Sequence, residues 1–186
     1  MKSIEAKNKT YLLTITALAT AILCIMAPLS IQIGPVPISL TNFVLYFTLY
    51  ILGWKRTTVS YIIYLLIGAV GLPVFSGFTG GLAKVAGPTG GYLIGFIPMV
   101  ILSGLVILHS RKRSVHILAM IAATLVCYAF GTAWYCIQAS VQVPVALGIC
   151  VIPFLPFDLV KIAAAALIGP RVRKRIEKSG FILTAE

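Results

Sequence analysis

The sequence predicts an all-α integral membrane protein, a bundle of six transmembrane helices with a glycine-rich outer loop between the third and fourth. Three observations carry this reading. The 186 residues are 60% hydrophobic and only 10% charged, with a mean hydropathy of +1.04, too little polar surface to coat a soluble globule of this size. The apolar residues gather into stretches near the 20 or so that a helix rising about 1.5 Å per residue needs to cross a hydrocarbon core of about 30 Å. The basic residues, Lys161 apart, lie between or beyond those stretches rather than along them.

Taken in order, the six spans fall at 10–29, 38–54, 57–73, 90–109, 115–138 and 148–169. The first follows Lys2, Lys7 and Lys9 and is apolar from Tyr11 to Ile33. It has the look of a signal peptide, but no small-residue cleavage site follows a short apolar core, so it is expected to stay as a helix. The second and third are separated by Lys55-Arg56. The segment between the third and fourth is too rich in glycine for an ordinary span. The fourth and fifth are parted by Arg111, Lys112 and Arg113, and the sixth runs into RVRKR at 171–175. No internal repeat is visible, and residues 1–186 read as a single domain.

Fifteen Lys and Arg against four acids give a formal charge of +11. Threading six spans from an inner N-terminus puts all four basic clusters on one side, leaving Lys84 as the only basic residue of the outer loops at 30–37, 74–89 and 139–147. That is the positive-inside pattern, which places both termini in the cytoplasm and explains the charge without nucleic acid. The outer loops hold Gly34-Pro35-Val36-Pro37, the Gly/Pro-rich 74–89 segment, and Gln138, Gln142 and Pro144 around the third. Irregular backbone at membrane depth persists only where it packs in protein or lines a wet cavity, so this side is expected to hold a pocket or lid.

Asp158 is the one acid away from the termini, in PFLPFDLVK over 153–161. An ionisable group in a spanning helix is costly unless paired or wet, and so marks a functional position. Lys161, three residues on, shares its helical face. The two either close a structural ion pair or together engage a ligand carrying N–H donors and a C=O acceptor. Lys84 either holds an anionic group or snorkels to the interface. Ser39, Thr41 and Asn42 at the start of the second span and Gln138 and Gln142 at the end of the fifth are expected near the level of Asp158, as a polar ring or as satisfied helix ends. Trp134 and Tyr92 would wall such a pocket or belong to the aromatic belt. Ala17 and Ala21 form a small-xxx-small face whose spacing alone points to packing within the monomer. Cys24, Cys127, Cys136 and Cys150 read as free thiols, and no metal site, hydrolase triad or Walker motif is present. The chain is therefore not expected to be an enzyme or to need a cofactor.

The segment GLPVFSGFTGGLAKVAGPTGGYLIGF over 71–96, with VPISL at 36–40 and PFLPFDLVK at 153–161, resembles the BioY family, the biotin-specific S components of energy-coupling factor (ECF) vitamin transporters. The resemblance covers essentially the whole chain. It implies a six-helix bundle in the bacterial plasma membrane that binds biotin near its outer surface, with a transmembrane coupling (T) subunit and two cytoplasmic ATPases as partners. It implies that Asp158 and Lys161 face the ureido ring, that Lys84, Gly90, Gly91 and Tyr92 belong to the site, with Lys84 toward the valerate carboxylate, and that Ala17 and Ala21 dock the partner. Where the family commonly has TLQ after Val-Pro, this chain departs, reading Ser39-Leu40-Thr41 and then Asn42; either Asn42 is to replace the missing amide or the second helix contributes less to the pocket. The alternatives are an S component for another vitamin, or a stand-alone carrier or channel for a small solute. A channel would want a polar file continuing to the inner side, which the inner halves of the spans lack.

Overall fold

The computed structural model describes residues 2–32 and 36–178, with side chains from Thr10 onward. Its order is α1 (Lys2–Met26), β1 (Ser30–Gln32), β2 (Pro37–Ser39), α2 (Thr41–Ala69), α3 (Leu82–Ala86), α4 (Gly90–His109), α5 (Arg113–Ala139), α6 (Val143–Cys150) and α7 (Leu155–Lys178). The architecture is all-α and membrane-embedded, with one small antiparallel hairpin that pairs Ser30 with Ser39 and Gln32 with Pro37. Helix α1 ends two residues before Pro28, where the chain leaves the helix for the hairpin. The Gly34-Pro35 step expected in the first outer loop lies outside the described residues, as do the side chains of Lys2, Lys7 and Lys9.

The expected second and third spans form one continuous element, α2, interrupted at Gly53 (φ 73°, ψ 173°), a backbone region open essentially to glycine alone. The interruption is a reversal. Asn42 and Tyr64 line the same cavity, whereas 22 residues of straight helix would part them by about 33 Å. The arms 41–52 and 54–69 are thus a helical hairpin turned on a single residue. Three boundaries differ from expectation. Residues 38–40 belong to the hairpin and its exit rather than to a helix. Part of the presumed loop 139–147 is helical as α6, which opens with a proline in its first turn. The presumed last span is broken at 151–154, beside Pro153 and Pro156, so that α6 and α7 meet at 50°. Helices α4 and α5 are each long and apolar enough to cross a membrane alone, the bent α6–α7 pair passes the same test jointly, and the apolar part of α1, Thr10–Met26, is shorter.

Hydroxyls tie the helices together where hydrocarbon gives them no other partner. Thr20 of α1 and Ser60 of α2 lie 3.0 Å apart. Tyr61 donates to the Leu93 carbonyl of α4 at 2.7 Å, Tyr46 to the Met120 carbonyl of α5 at 3.0 Å, and Tyr92 of α4 to the Cys150 carbonyl of α6 at 3.1 Å. The core running through these contacts is built from Leu45, Tyr46, Leu49, Tyr61, Met99, Val100, Met120 and Ile162, all essentially inaccessible. It fills the bundle below the hairpin end and leaves space at that end.

Candidate functional site

That space is a partly open cavity under the β1–β2 hairpin and the glycine-rich segment. Asp158 stands on its wall in the first turn of α7. Its carboxylate accepts from the Tyr128 hydroxyl of α5 at 2.6 Å through Oδ2 and from Lys161 Nζ at 3.0 Å through Oδ1. Lys161 also donates to the Ser39 carbonyl at 2.7 Å, which fastens α7 to the hairpin. Both side chains are nearly removed from solvent, at 10% and 12% exposure for Asp158 and Lys161.

Counting valences shows what this cluster can still do. A carboxylate offers about four lone-pair sites and an ammonium three protons. Two acceptor sites and two protons are spent on the protein, so two acceptor sites on Asp158 and one proton on Lys161 are left for a ligand. Asn42, also on the wall, uses its Oδ1 to accept from the Phe43 N–H at 3.0 Å. Its NH2 has no described partner. Thr89, immediately before α4, lines the same cavity and its buried Oγ1 meets no partner. It makes no side-chain bond to the start of α4 either. The remaining walls are apolar and aromatic: Tyr92, Phe96 and Met99 one turn apart along α4, with Cys127 and Phe154 facing in from α5 and the α6–α7 break. Among the described residues, the only charged ones on the lining are Asp158 and Lys161, which cancel.

Of the residues singled out by sequence, the structure gathers Asp158, Lys161, Asn42 and Tyr92 around this cavity, together with Ser39 and Thr41. It places the others elsewhere. Gln138 and Gln142 are exposed at the end of α5 and before α6, because the α5–α6 turn leads away from the cavity. Trp134 donates its Nε1–H to the Gly87 carbonyl at 2.9 Å and packs behind the site. Gly90 and Gly91 are the surface it packs on. A Cβ on Gly91 would run into the Trp134 side chain and lie 2.8 Å from the Phe130 carbonyl, and one on Gly90 would run into the Val85 carbonyl, so these glycines set the approach of α4 to α5 and to α3 rather than the lining. Lys84 sits on the short α3, outside the lining, where partial burial lowers its pKa below the ordinary lysine value. Ala17 and Ala21 are exposed on α1, so their close-packing face is unoccupied within the monomer, contrary to the spacing-based expectation.

Tyr128 and Thr89 are among the lining residues that escaped the sequence reading. Tyr128 carries the shortest bond to Asp158, and Thr89 presents the unpartnered hydroxyl. The first had a signal in Thr124, Cys127, Tyr128 and Gly131, which follow helical spacing along one face of α5. The second was masked by the glycines around it.

A family model described as the BioY family matches residues 1–178. The chain belongs to the BioY family. Relatives are similar over most of their length: the biotin transporter BioY of Thermotoga maritima is 37% identical over 156 residues, covering 83% of this chain and 91% of its own. The probable biotin transporter BioY of Pyrococcus horikoshii is 36% identical over 160 residues, covering 86% and 94%. The 2.1 Å crystal structure of the S-component for biotin from an ECF-type ABC transporter superposes with a TM-score of 0.83 at 30% identity, over 90% of this chain and 93% of that one. The cavity described above thus sits in a BioY fold, and BioY membership makes the chain a membrane transport protein.

Proposed function

We propose that this chain captures biotin for uptake as the substrate-binding subunit of an ECF-type transporter in a bacterial plasma membrane. The observation that carries the proposal is the unspent hydrogen-bonding capacity of Asp158 and Lys161 inside an otherwise apolar cavity. A cyclic urea has two N–H donors beside one carbonyl. Two free acceptor sites on the carboxylate and one free ammonium proton complement it without disturbing the bonds to Tyr128 and Ser39. The Asn42 NH2 adds a donor next to them. Tyr92, Phe96, Met99 and Phe154 give the thioether ring and the alkyl chain apolar walls.

The valerate carboxylate is assigned to Thr89 and the first turn of α4. A buried hydroxyl without a partner at the positive end of a 20-residue helix is a place for an anion. Lys84 contributes a long-range field from α3. Neither metal nor cofactor is required for this capture, and the chain supplies no catalytic step of its own.

Uptake needs an energy source, and the partners assigned are a transmembrane coupling subunit and two cytoplasmic ATPases. The exposed Ala17/Ala21 face of α1 is the docking surface, since small residues let a partner helix approach closely. Both termini lie in the cytoplasm, which puts the basic residues of the Gly53 turn, the α4–α5 turn and the end of α7 on the inner side.

The test is equilibrium binding of biotin to the purified full chain, with a panel of other vitamins in parallel. Selective biotin binding supports the assignment. Binding of another vitamin instead moves the ligand and keeps the subunit role, and folded protein that binds none of them favours a stand-alone carrier.

A further inference from the structure

At the opposite end of the bundle from the Asp158 cavity lies a second, larger recess between α2, α4, α5 and α7. Its inner wall is Leu49, Trp54, Ile107 and Leu108, beside the Gly53 reversal. Its rim is basic: Arg111 from the α4–α5 turn, and Arg173 and Lys174 from the end of α7. Glu177 on the same rim binds Arg173 at 2.8 Å and neutralises it. Arg111 and Lys174 have no carboxylate partner among the described residues. His116 on the floor is already engaged, with Tyr50 at 3.3 Å and the Ser110 carbonyl at 2.9 Å, so it belongs to the scaffold.

We infer that this recess binds an anionic phospholipid, its phosphate between Arg111 and Lys174 and the first carbons of an acyl chain against Ile107 and Leu108. The wall and the rim call for an occupant with both characters. A soluble anion would leave the apolar wall wet, and a zwitterionic lipid would bring its own cation to a rim that already has two uncompensated ones. Leu108 is 42% exposed, so the wall opens outward, where an acyl chain can leave into the bilayer. Trp54 on the same wall is a side chain expected near headgroup level. Basic pockets between transmembrane helices at one membrane face are a recurring way of holding anionic headgroups. This inference is independent of what the Asp158 cavity binds.

The test is native mass spectrometry of the full chain in detergent with phosphatidylglycerol or phosphatidylcholine of matched acyl chains. The expected result is selective retention of phosphatidylglycerol by the parent chain. Each cation near such a surface is worth about fivefold in affinity, so Arg111→Gln with Lys174→Gln should weaken retention roughly thirtyfold. Lys112→Gln with Arg171→Gln, which removes as much charge outside the recess, should change it less than about fivefold. The single variants serve if the double variant melts early. Ile107→Trp keeps every charge, fills the recess and should also abolish retention. Equal retention of the two lipids, equal loss in the two charge variants, full retention in Ile107→Trp, or displacement by an equal concentration of inorganic phosphate each overturns the assignment.

Discussion

Replacing Asp158 with Asn keeps the shape of the side chain and removes its charge. Each hydrogen bond from a ligand N–H to the buried carboxylate is charge-assisted and worth about 1.5–3 kcal/mol, against about 1 kcal/mol for a neutral one. The amide keeps one acceptor oxygen, but Tyr128 and Lys161 already compete for it, and its NH2 would point at a ligand donor or at the Tyr128 oxygen. One ligand bond is weakened and the other lost, a net cost of about 2–4 kcal/mol, or roughly thirty- to a thousandfold in affinity. The carboxylate is only 10% exposed, so solvent screening removes little of this. Breaking a buried pair also destabilises the fold, and thermal unfolding in detergent must therefore accompany the binding measurement. Equilibrium dialysis with labelled biotin reads the affinity. A folded Asp158→Asn chain that binds within about twofold of the parent would refute the valence argument, since a bond of even 0.5 kcal/mol exceeds that.

Tyr128→Phe should weaken biotin binding about tenfold by removing the 2.6 Å bond that orients the Asp158 carboxylate, with little change in unfolding temperature; calorimetric titration checks it. Thr89→Val should weaken biotin more than it weakens biotin methyl ester, by about 1 kcal/mol, whereas Lys84→Gln should alter both by less; the ester comparison made by competition separates the two residues. Ala17→Trp should leave biotin affinity unchanged and abolish uptake by cells that also make the coupling subunit and ATPases, because bulk on α1 blocks helix approach; parallel loss of binding would indicate misfolding instead. Gly53→Ala should cost about 1–3 kcal/mol from its φ of 73° and ψ of 173°, seen as a lower melting temperature with binding intact below it.

Much of this was legible in the sequence because hydrophobic length and charge placement act locally. Each of the six apolar segments is mainly helical, and the lone acid at 158 with a lysine three residues on could be recognised as one face of one helix. What stayed hidden depended on how segments meet. Gly53 has a neighbouring Lys-Arg pair that reads as a loop, yet the turn takes a single residue because glycine alone tolerates that backbone. Gln138 and Gln142 look level with Asp158, but depth says nothing of which way a side chain faces, and Gln138 at the end of α5 and Gln142 just before α6 are both exposed. Tyr128 is, in the sequence, one aromatic among many apolar neighbours; only packing of α5 against α7 brings its hydroxyl to the carboxylate. The resemblance implies ligand contact for Gly90 and Gly91, whereas their missing side chains make room for the Val85 carbonyl and for Trp134.

The most direct test of the central claim is the structure of this chain with biotin bound. The account predicts the ureido ring beside Asp158, its carbonyl oxygen about 3 Å from Lys161 Nζ and its N–H groups at the carboxylate, with the bonds from Tyr128 and to Ser39 retained and the valerate directed toward Thr89. Biotin seated in the reverse direction, with its carboxylate on Lys161, or bound outside this cavity, would contradict it.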